Sequence, residues 1–256
     1  MAFDEQETAA QFLVAARKAG RPGERLPLAA RPADLESALA IQRRVTELLG
    51  ERIGGWKCSV PSEARPINAA PIFASTIFRT SPCTIVATGA TAKIEPEVAF
   101  VMAHDLPLRD TPYSEAEVRA AIAEQRFVLE ILGSRFADPS EATWPEMVAD
   151  SVQNQGLFIG PAFASVPDTA LRGFLITVRS TAGVLSTHHG RHGDRHPLYP
   201  LYWLANFLAE RGEGLRAGQV VTTGSYAGAI EVPLKEALTV TFGDLGVVNV
   251  QLARKP

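Results

Sequence analysis

Lys93-Ile94-Glu95-Pro96-Glu97-Val98-Ala99-Phe100-Val101-Met102 reads as a long β-strand carrying two acids. Strand side chains alternate between faces. Glu95 and Glu97 therefore point the same way, roughly 7 Å apart at the usual rise per residue. Ile94, Pro96, Val98 and Phe100 point the other way. Two like charges on one sheet face repel and are costly if buried. A divalent cation would remove that cost, because carboxylate oxygens are the preferred ligands of Mg²⁺ and Mn²⁺. The competing reading is a solvated strand face.

Outward from this segment, β-type runs recur at 53–58, 76–78, 84–86, 127–132, 174–179, 220–223, 238–242 and 247–252, punctuated by Gly, Pro and Asp. Gly243-Asp244-Leu245-Gly246 separates the last two as a hairpin turn. The helical signals are fewer. Residues 4–19 place Phe12, Leu13 and Ala16 on one face, with Gly20 as a stop. A second helix follows the N-cap Asp34 and ends at Gly50. Ser114-Glu115-Ala116-Glu117 fits a capping box, and a further helix covers about 199–211. Many strands with few helices predict an α+β fold, a curved or rolled mixed sheet over 53–256 behind a small helical N-terminal region, 1–52. The alternation of a doubly wound fold is missing, as are GxGxxG and P-loop patterns.

Charge and composition narrow the function. The 256 residues are 46% hydrophobic, with 25 Lys+Arg against 28 Asp+Glu and no basic block, so a nucleic-acid partner is disfavoured. No apolar run approaches the roughly 20 residues of a membrane helix. The acidic start Met1-Ala2-Phe3-Asp4-Glu5 lacks the features of a signal peptide. The two cysteines, Cys58 and Cys83, make no disulfide framework, and a cytoplasmic location is the simplest expectation.

Four further places could carry chemistry. Glu130 is the one acid in the apolar run Phe127-Val128-Leu129-Glu130-Ile131-Leu132, and a buried carboxylate needs a partner. That partner is either an arginine such as Arg126 or Arg135, or the same cation that Glu95 and Glu97 would hold. Gly54-Gly55-Trp56-Lys57-Cys58 offers close backbone approach and a lysine able to orient a carboxylate or move a proton. Thr187-His188-His189-Gly190-Arg191-His192-Gly193-Asp194-Arg195-His196 holds four of the five histidines. It reads as a Gly-rich, mobile active-site loop, with zinc binding as the alternative. Thr223-Gly224-Ser225, at the end of an apolar strand, offers hydroxyls and backbone N–H groups to an anion.

Taken in order, Gly55-Trp56-Lys57, Ile94-Glu95-Pro96-Glu97-Val98-Ala99-Phe100-Val101, Leu129-Glu130-Ile131 with Ser134-Arg135, and Thr223-Gly224 resemble the 2-keto-4-pentenoate (2-hydroxypentadienoate) hydratases and their decarboxylase relatives, in the fumarylacetoacetate hydrolase superfamily. His196-Pro197-Leu198, Trp203-Leu204-Ala205-Asn206 and Leu215-Arg216-Ala217-Gly218 fit the same pattern. The resemblance runs from about residue 50 to the end. It implies a mixed-sheet roll, a homo-oligomer, and Mg²⁺ or Mn²⁺ held by Glu95, Glu97 and Glu130. The implied partner is a small 2-oxo or 2-hydroxydienoic acid, and the implied activity is that of a hydro-lyase in the catabolism of aromatic-derived compounds. Lys57 and Asp150 are then the catalytic candidates, and Thr223, Gly224, Ser225 and His196 the substrate contacts. A 2-oxo-3-enedioate decarboxylase, or an acylpyruvate-type C–C hydrolase, is the alternative on the same site. A non-catalytic partner subunit is disfavoured by the complete glutamate set. Some positions depart from the family pattern: Gly133 stands where Asp is usual, Cys58-Ser59-Val60-Pro61-Ser62 replaces a Gly-Leu-Thr-Ser type stretch, and Ala149-Asp150-Ser151 replaces Ala-Asp-Asn. These lie in substrate-proximal segments and leave the three glutamates intact.

Overall fold

The computed structural model describes residues 3–63, 66–194 and 196–255. Arg195 of the histidine-rich stretch, and Met1 and Ala2 of the N-terminal reading, lie outside the described residues. Two helices come first, α1 (Phe3–Ala19) and α2 (Leu35–Leu49). Strands β1 (Ile53–Ser59), β2 (Asn68–Phe73), β3 (Ile77–Phe78), β4 (Cys83–Ile85) and β5 (Thr91–Met102) follow. Then come α3 (Glu115–Ala120), β6 (Ile122–Leu132), α4 (Trp144–Ala149), β7 (Asn154–Phe163), β8 (Gly173–Ser180) and β9 (Gly183–Arg191). The chain closes with α5 (Leu198–Ala209), β10 (Val220–Ser225), β11 (Ile230–Pro233), β12 (Ala237–Phe242) and β13 (Gly246–Arg254). No helix among the described residues is long and apolar enough to cross a membrane.

Two sheets form the body. One runs β2-β1-β10-β5-β6-β7-β3, with β11 on the far part of β5, and mixes parallel and antiparallel pairs; the other runs β4-β13-β12-β8-β9. Phe127 of β6 ties the sheets together: its ring stacks on Phe163 at 4.2 Å and on Phe242 at 4.4 Å. A side chain this buried is expected to cost about 3–5 kcal/mol when cut to alanine. Urea unfolding of Phe127→Ala should read that loss with an unchanged slope.

Local chemistry explains the ends of several elements. Asp34 caps α2 by accepting from the Ser37 N–H at 2.8 Å, and Gly50 ends it in the left-handed region at φ 63°. Ser114 and Glu117 form the expected capping box of α3. Gly55 is required by packing: a Cβ there would sit 2.2 Å from the Val220 carbonyl oxygen of the parallel neighbour β10. The two N-terminal helices cover β2 and α4 through one apolar cluster that includes Leu13, Ile41, Val45, Phe73, Phe136 and Val148.

The histidine-rich stretch is not a loop as far as Arg191. It is the second half of β9, paired antiparallel with β8 from Gly173↔Arg191 to Ser180↔Gly183. Gly190, which suggests a loop in one dimension, is a packing glycine: a Cβ there would meet the Phe174 carbonyl at 2.9 Å. Strands β2, β7, β9 and β11 and helix α4 go unread in the sequence. Their residues are poor in β-branched side chains or interrupted by Pro and Gly, and neighbouring strands supply the pairing.

Candidate functional site

The register of β5 on β6 sets Glu95 directly opposite Glu130, with Glu97 two residues further on the same face. Carboxylate oxygens of the three lie within 4.8 Å of one another, and no other group of three or more His, Cys, Asp or Glu among the described residues comes together in this way. Glu97 and Glu130 are buried and Glu95 nearly so. The cation beside Glu130 is Lys57, on β1, with Nζ 2.7 Å from Oε1. The two arginines open as partners in the sequence are engaged elsewhere, Arg126 with Glu124 and Arg135 with Asp150.

Fixed donors hold the cluster. Asn154 Nδ2 donates to Glu130 Oε1 at 2.9 Å, and the Gly224 N–H donates to Glu97 Oε2 at 2.8 Å, joined there by the Thr222 hydroxyl. Gly224 adopts φ 118°, a conformation that favours glycine, and so turns its N–H onto Glu97. Lys57 also donates to the Val152 carbonyl at 3.2 Å. That carbonyl is presented by an unusual turn in which Ser151, Val152 and Gln153 all have positive φ, of 56°, 48° and 59°. Three consecutive non-glycine residues in this region store strain.

Burial, with the charge of Glu130 second, raises the Glu95 carboxyl to about 7. The same causes, with Glu95 added, raise Glu97 to about 8. Burial works against the Lys57 ammonium, and the charges of Glu130 and Glu95 outweigh it, so its pKa is raised and it stays protonated. Glu130 Oε2 is buried with no hydrogen-bond partner. Three carboxylates around one ammonium, with one oxygen unsatisfied, fit a divalent cation of the oxygen-ligated kind.

The pH dependence follows. Without metal, the folded state keeps protons on Glu95 and Glu97 that the unfolded chain releases above its ordinary carboxylate pKa of about 4.3. Metal-free stability is therefore greatest below that value and falls as pH rises through 7 to 8. Metal affinity should rise over the same window, with proton release on binding. Melting temperatures of EDTA-treated protein at about pH 6 and 8.5, and Mn²⁺ titrations in two buffers of different ionisation heat, check both directions.

The cluster lies in a cavity of about 160 Å³ that Ser59, Asn68, His192, Asp194 and the 223–225 turn also line. Thr223, Gly224 and Ser225 reach it, but their donors are already used. The Thr223 hydroxyl donates to the Val98 carbonyl, Ser225 to the Gly228 carbonyl, and the Gly224 N–H to Glu97. Besides Glu130 Oε2, the unsatisfied side-chain atoms among the described lining residues are Ser59 Oγ and Asn68 Oδ1, neither singled out in the sequence as a contact. His196 does not line this cavity; its ring lies edge-on to Tyr199 and Tyr202. His192 takes that place. Its Nδ1 accepts from the Asp194 N–H at 3.1 Å, so the proton sits on Nε2, which donates to the Thr223 carbonyl at 3.0 Å. Asp150 does not line it either. It is buried and accepts from the Arg135 backbone N–H at 2.9 Å and from Arg135 Nε.

No family model matches the chain. Several curated relatives match over most of their length. A 2-keto-4-pentenoate hydratase 2 of Dechloromonas aromatica is 29% identical over 98% of both chains. A 2-keto-4-pentenoate hydratase of Paraburkholderia phymatum is 27% identical over 86% of this chain and 87% of that one. The chain is similar over most of its length to 2-keto-4-pentenoate hydratases. A 4-oxalocrotonate decarboxylase of Pseudomonas sp. strain CF600 is also 27% identical to this chain, over 82% of it and 81% of the relative. Among solved structures, the 4-oxalocrotonate decarboxylase from Pseudomonas putida G7 complexed with magnesium and adipate superposes with a TM-score of 0.78, 22% identity and 98% coverage of both chains. A fumarylacetoacetate hydrolase family protein from Yersinia pestis CO92 superposes at 0.54, with 16% identity over 77% of this chain and 90% of that one. The fold is the fumarylacetoacetate-hydrolase-like roll. One departure from the hydratase-family pattern has a structural reason: a Cβ at Gly133 would meet Gln155 Nε2 at 2.4 Å. The Gln155 amide fills that space and donates to the Leu132 and Val86 carbonyls.

Proposed function

We propose that this protein is a divalent-metal-dependent hydratase that adds water to a 2-hydroxy-2,4-dienoate of the 2-keto-4-pentenoate type, giving a 4-hydroxy-2-oxo acid in the breakdown of aromatic-derived compounds. The observation that carries this reading is the buried cluster of Glu95, Glu97 and Glu130, with Lys57 Nζ 2.7 Å from Glu130. The names of relatives matched over almost their whole length support it. The all-oxygen donor set favours Mg²⁺ or Mn²⁺. When bound, the ion supplies Lewis-acid polarisation of the substrate's C2 oxygen and neutralises its C1 carboxylate.

The chain's own residues do the rest. Lys57 is the protonated group lining the cavity; it donates a proton to the far carbon, C5, and takes the enol proton in its place as the C2 ketone forms. The α,β-unsaturated ketone so formed takes water across C3 and C4, hydroxyl to C4 and proton to C3, so one water is consumed and nothing is released. Asn68 Oδ1, an acceptor without a donor, orients that water. The Ser59 hydroxyl, a donor without an acceptor, holds the substrate carboxylate. Asp150 acts through Arg135, which donates to the Asn154 carbonyl at 2.8 Å and so fixes the residue that holds Glu130.

A decarboxylase acting on 2-oxo-3-enedioates is the second reading, favoured by the superposition on the Pseudomonas putida G7 enzyme. Proton NMR of the metal-loaded protein with 2-hydroxypenta-2,4-dienoate and, separately, with 2-oxohex-3-enedioate distinguishes the two. Hydration predicts 4-hydroxy-2-oxopentanoate from the first and slow or no change in the second. Loss of CO₂ from the second, with the first inert, replaces the hydratase reading.

A further inference from the structure

A second cavity, of about 670 Å³, has none of Lys57, Glu95, Glu97 and Glu130 in its walls. Six of the residues lining it are Lys or Arg and two are Glu, so its field is positive. The most deeply held of these cations are Arg17, from α1, and Arg135, and both address the same carboxylate. Arg135 has taken it: its backbone N–H donates to Asp150 Oδ2, its Nε to Oδ1, and its Nη2 to the Asp150 carbonyl at 2.6 Å. Arg17 is left 3.8 Å from Oδ1. Its one hydrogen bond among the described residues is to a neutral group, from Nη2 to Ser151 Oγ at 3.2 Å. Its Nε is buried and without a partner, and the side chain is only 13% exposed.

Two guanidiniums therefore share one carboxylate out of water, and the second has no full counter-charge. Burial, then the charge of Arg135, pushes the Arg17 guanidinium down to about 9, and Asp150 restores only part of the loss. An uncompensated buried charge is among the costliest features a fold can carry. Here it faces an open cavity, and a guanidinium edge is the group best suited to an oxyanion. Beside it lie apolar walls: Phe73, whose ring centroid is 5.4 Å from the Arg17 guanidinium carbon, and Phe136.

We propose that this cavity binds a small organic oxyanion, its carboxylate or phosphate head on the free edge of Arg17 and its apolar body against Phe73 and Phe136. The site is separate from the metal cluster and does not depend on the hydratase reading.

Calorimetric titration of the metal-loaded protein with octanoate, octyl phosphate and inorganic phosphate tests it. At least one of the two octyl probes should bind at or below about 1 mM, and the tighter of them identifies the head group. Inorganic phosphate should bind at least about tenfold more weakly for want of an apolar body. Arg17→Met should weaken the octyl probes by about tenfold or more while melting no lower than the parent, because it removes a buried charge that shares its one carboxylate with Arg135. Arg17→Lys keeps the charge without the planar edge and should fall in between; it serves if the Met variant does not fold. No binding of either octyl probe up to about 10 mM overturns the proposal. So does equal binding to the parent and both variants, or inorganic phosphate binding as tightly as the octyl probes.

Discussion

Glu130→Gln should lose metal binding and turnover together while keeping the fold. The substitution preserves shape, and the amide oxygen of a glutamine can still accept from Asn154 and Lys57. It removes one of three charges and the buried Oε2 that no protein group satisfies. Changes one shell outside a metal already cost about 10–100-fold in affinity, so loss of this oxygen should cost about 100-fold or more. Turnover should fall on the order of a thousandfold, about 4 kcal/mol of transition-state stabilisation. Stability moves less. Neutralising Glu130 breaks its buried pair with Lys57, but Glu130 is a main cause, after burial, of the raised carboxyls of Glu95 and Glu97, so the relief of that repulsion offsets part of the cost in the metal-free protein. Mn²⁺ titration, initial rates and a thermal melt of the same sample read all three. A variant that binds metal and turns over like the parent removes Glu130 from the metal site.

Lys57→Met has the second large effect, and it separates proton chemistry from metal binding. Lys57 is the one cation among the described residues that reaches the buried carboxylates, 2.7 Å from Glu130. Breaking a buried pair from one side typically costs about 3–5 kcal/mol; protonation of a neighbouring carboxylate would return part of it, since Glu95 and Glu97 already sit near 7 and 8. Loss of a positioned proton carrier should lower turnover by about 10²–10⁴-fold. Metal affinity should hold or tighten, because the ammonium no longer competes for Glu130. Weakened metal binding with normal turnover at saturating metal would show that Lys57 serves the ion and not the proton.

Much of this site is legible in one dimension because strand alternation is a strict rule. Glu95 and Glu97 share a face by spacing alone, and an acid inside Phe127–Leu132 is conspicuous. What spacing cannot supply is the register that sets Glu95 opposite Glu130, or the parallel pairing that brings Lys57 to them beside Thr222. Asp150 reads as a candidate because its reach to Arg135 depends on a tertiary contact, and the same contact leaves Arg17 with no full partner. Asn68 and Asn154 carry no signal, and Ser59 only that of the substrate-proximal stretch it belongs to; the unsatisfied or shared atoms of the fold mark them. Among the histidines, His192 lines the cavity and His196 does not, because β9 runs as a strand to Arg191 and turns there.

Hydration at the three-glutamate centre should need its ion. The most direct measurement is proton NMR of 2-hydroxypenta-2,4-dienoate with EDTA-stripped protein, followed by addition of excess Mg²⁺ or Mn²⁺ to the same tube. No 4-hydroxy-2-oxopentanoate should form above the uncatalysed rate before the addition, and it should appear promptly after. Product forming at the same rate before and after would contradict it.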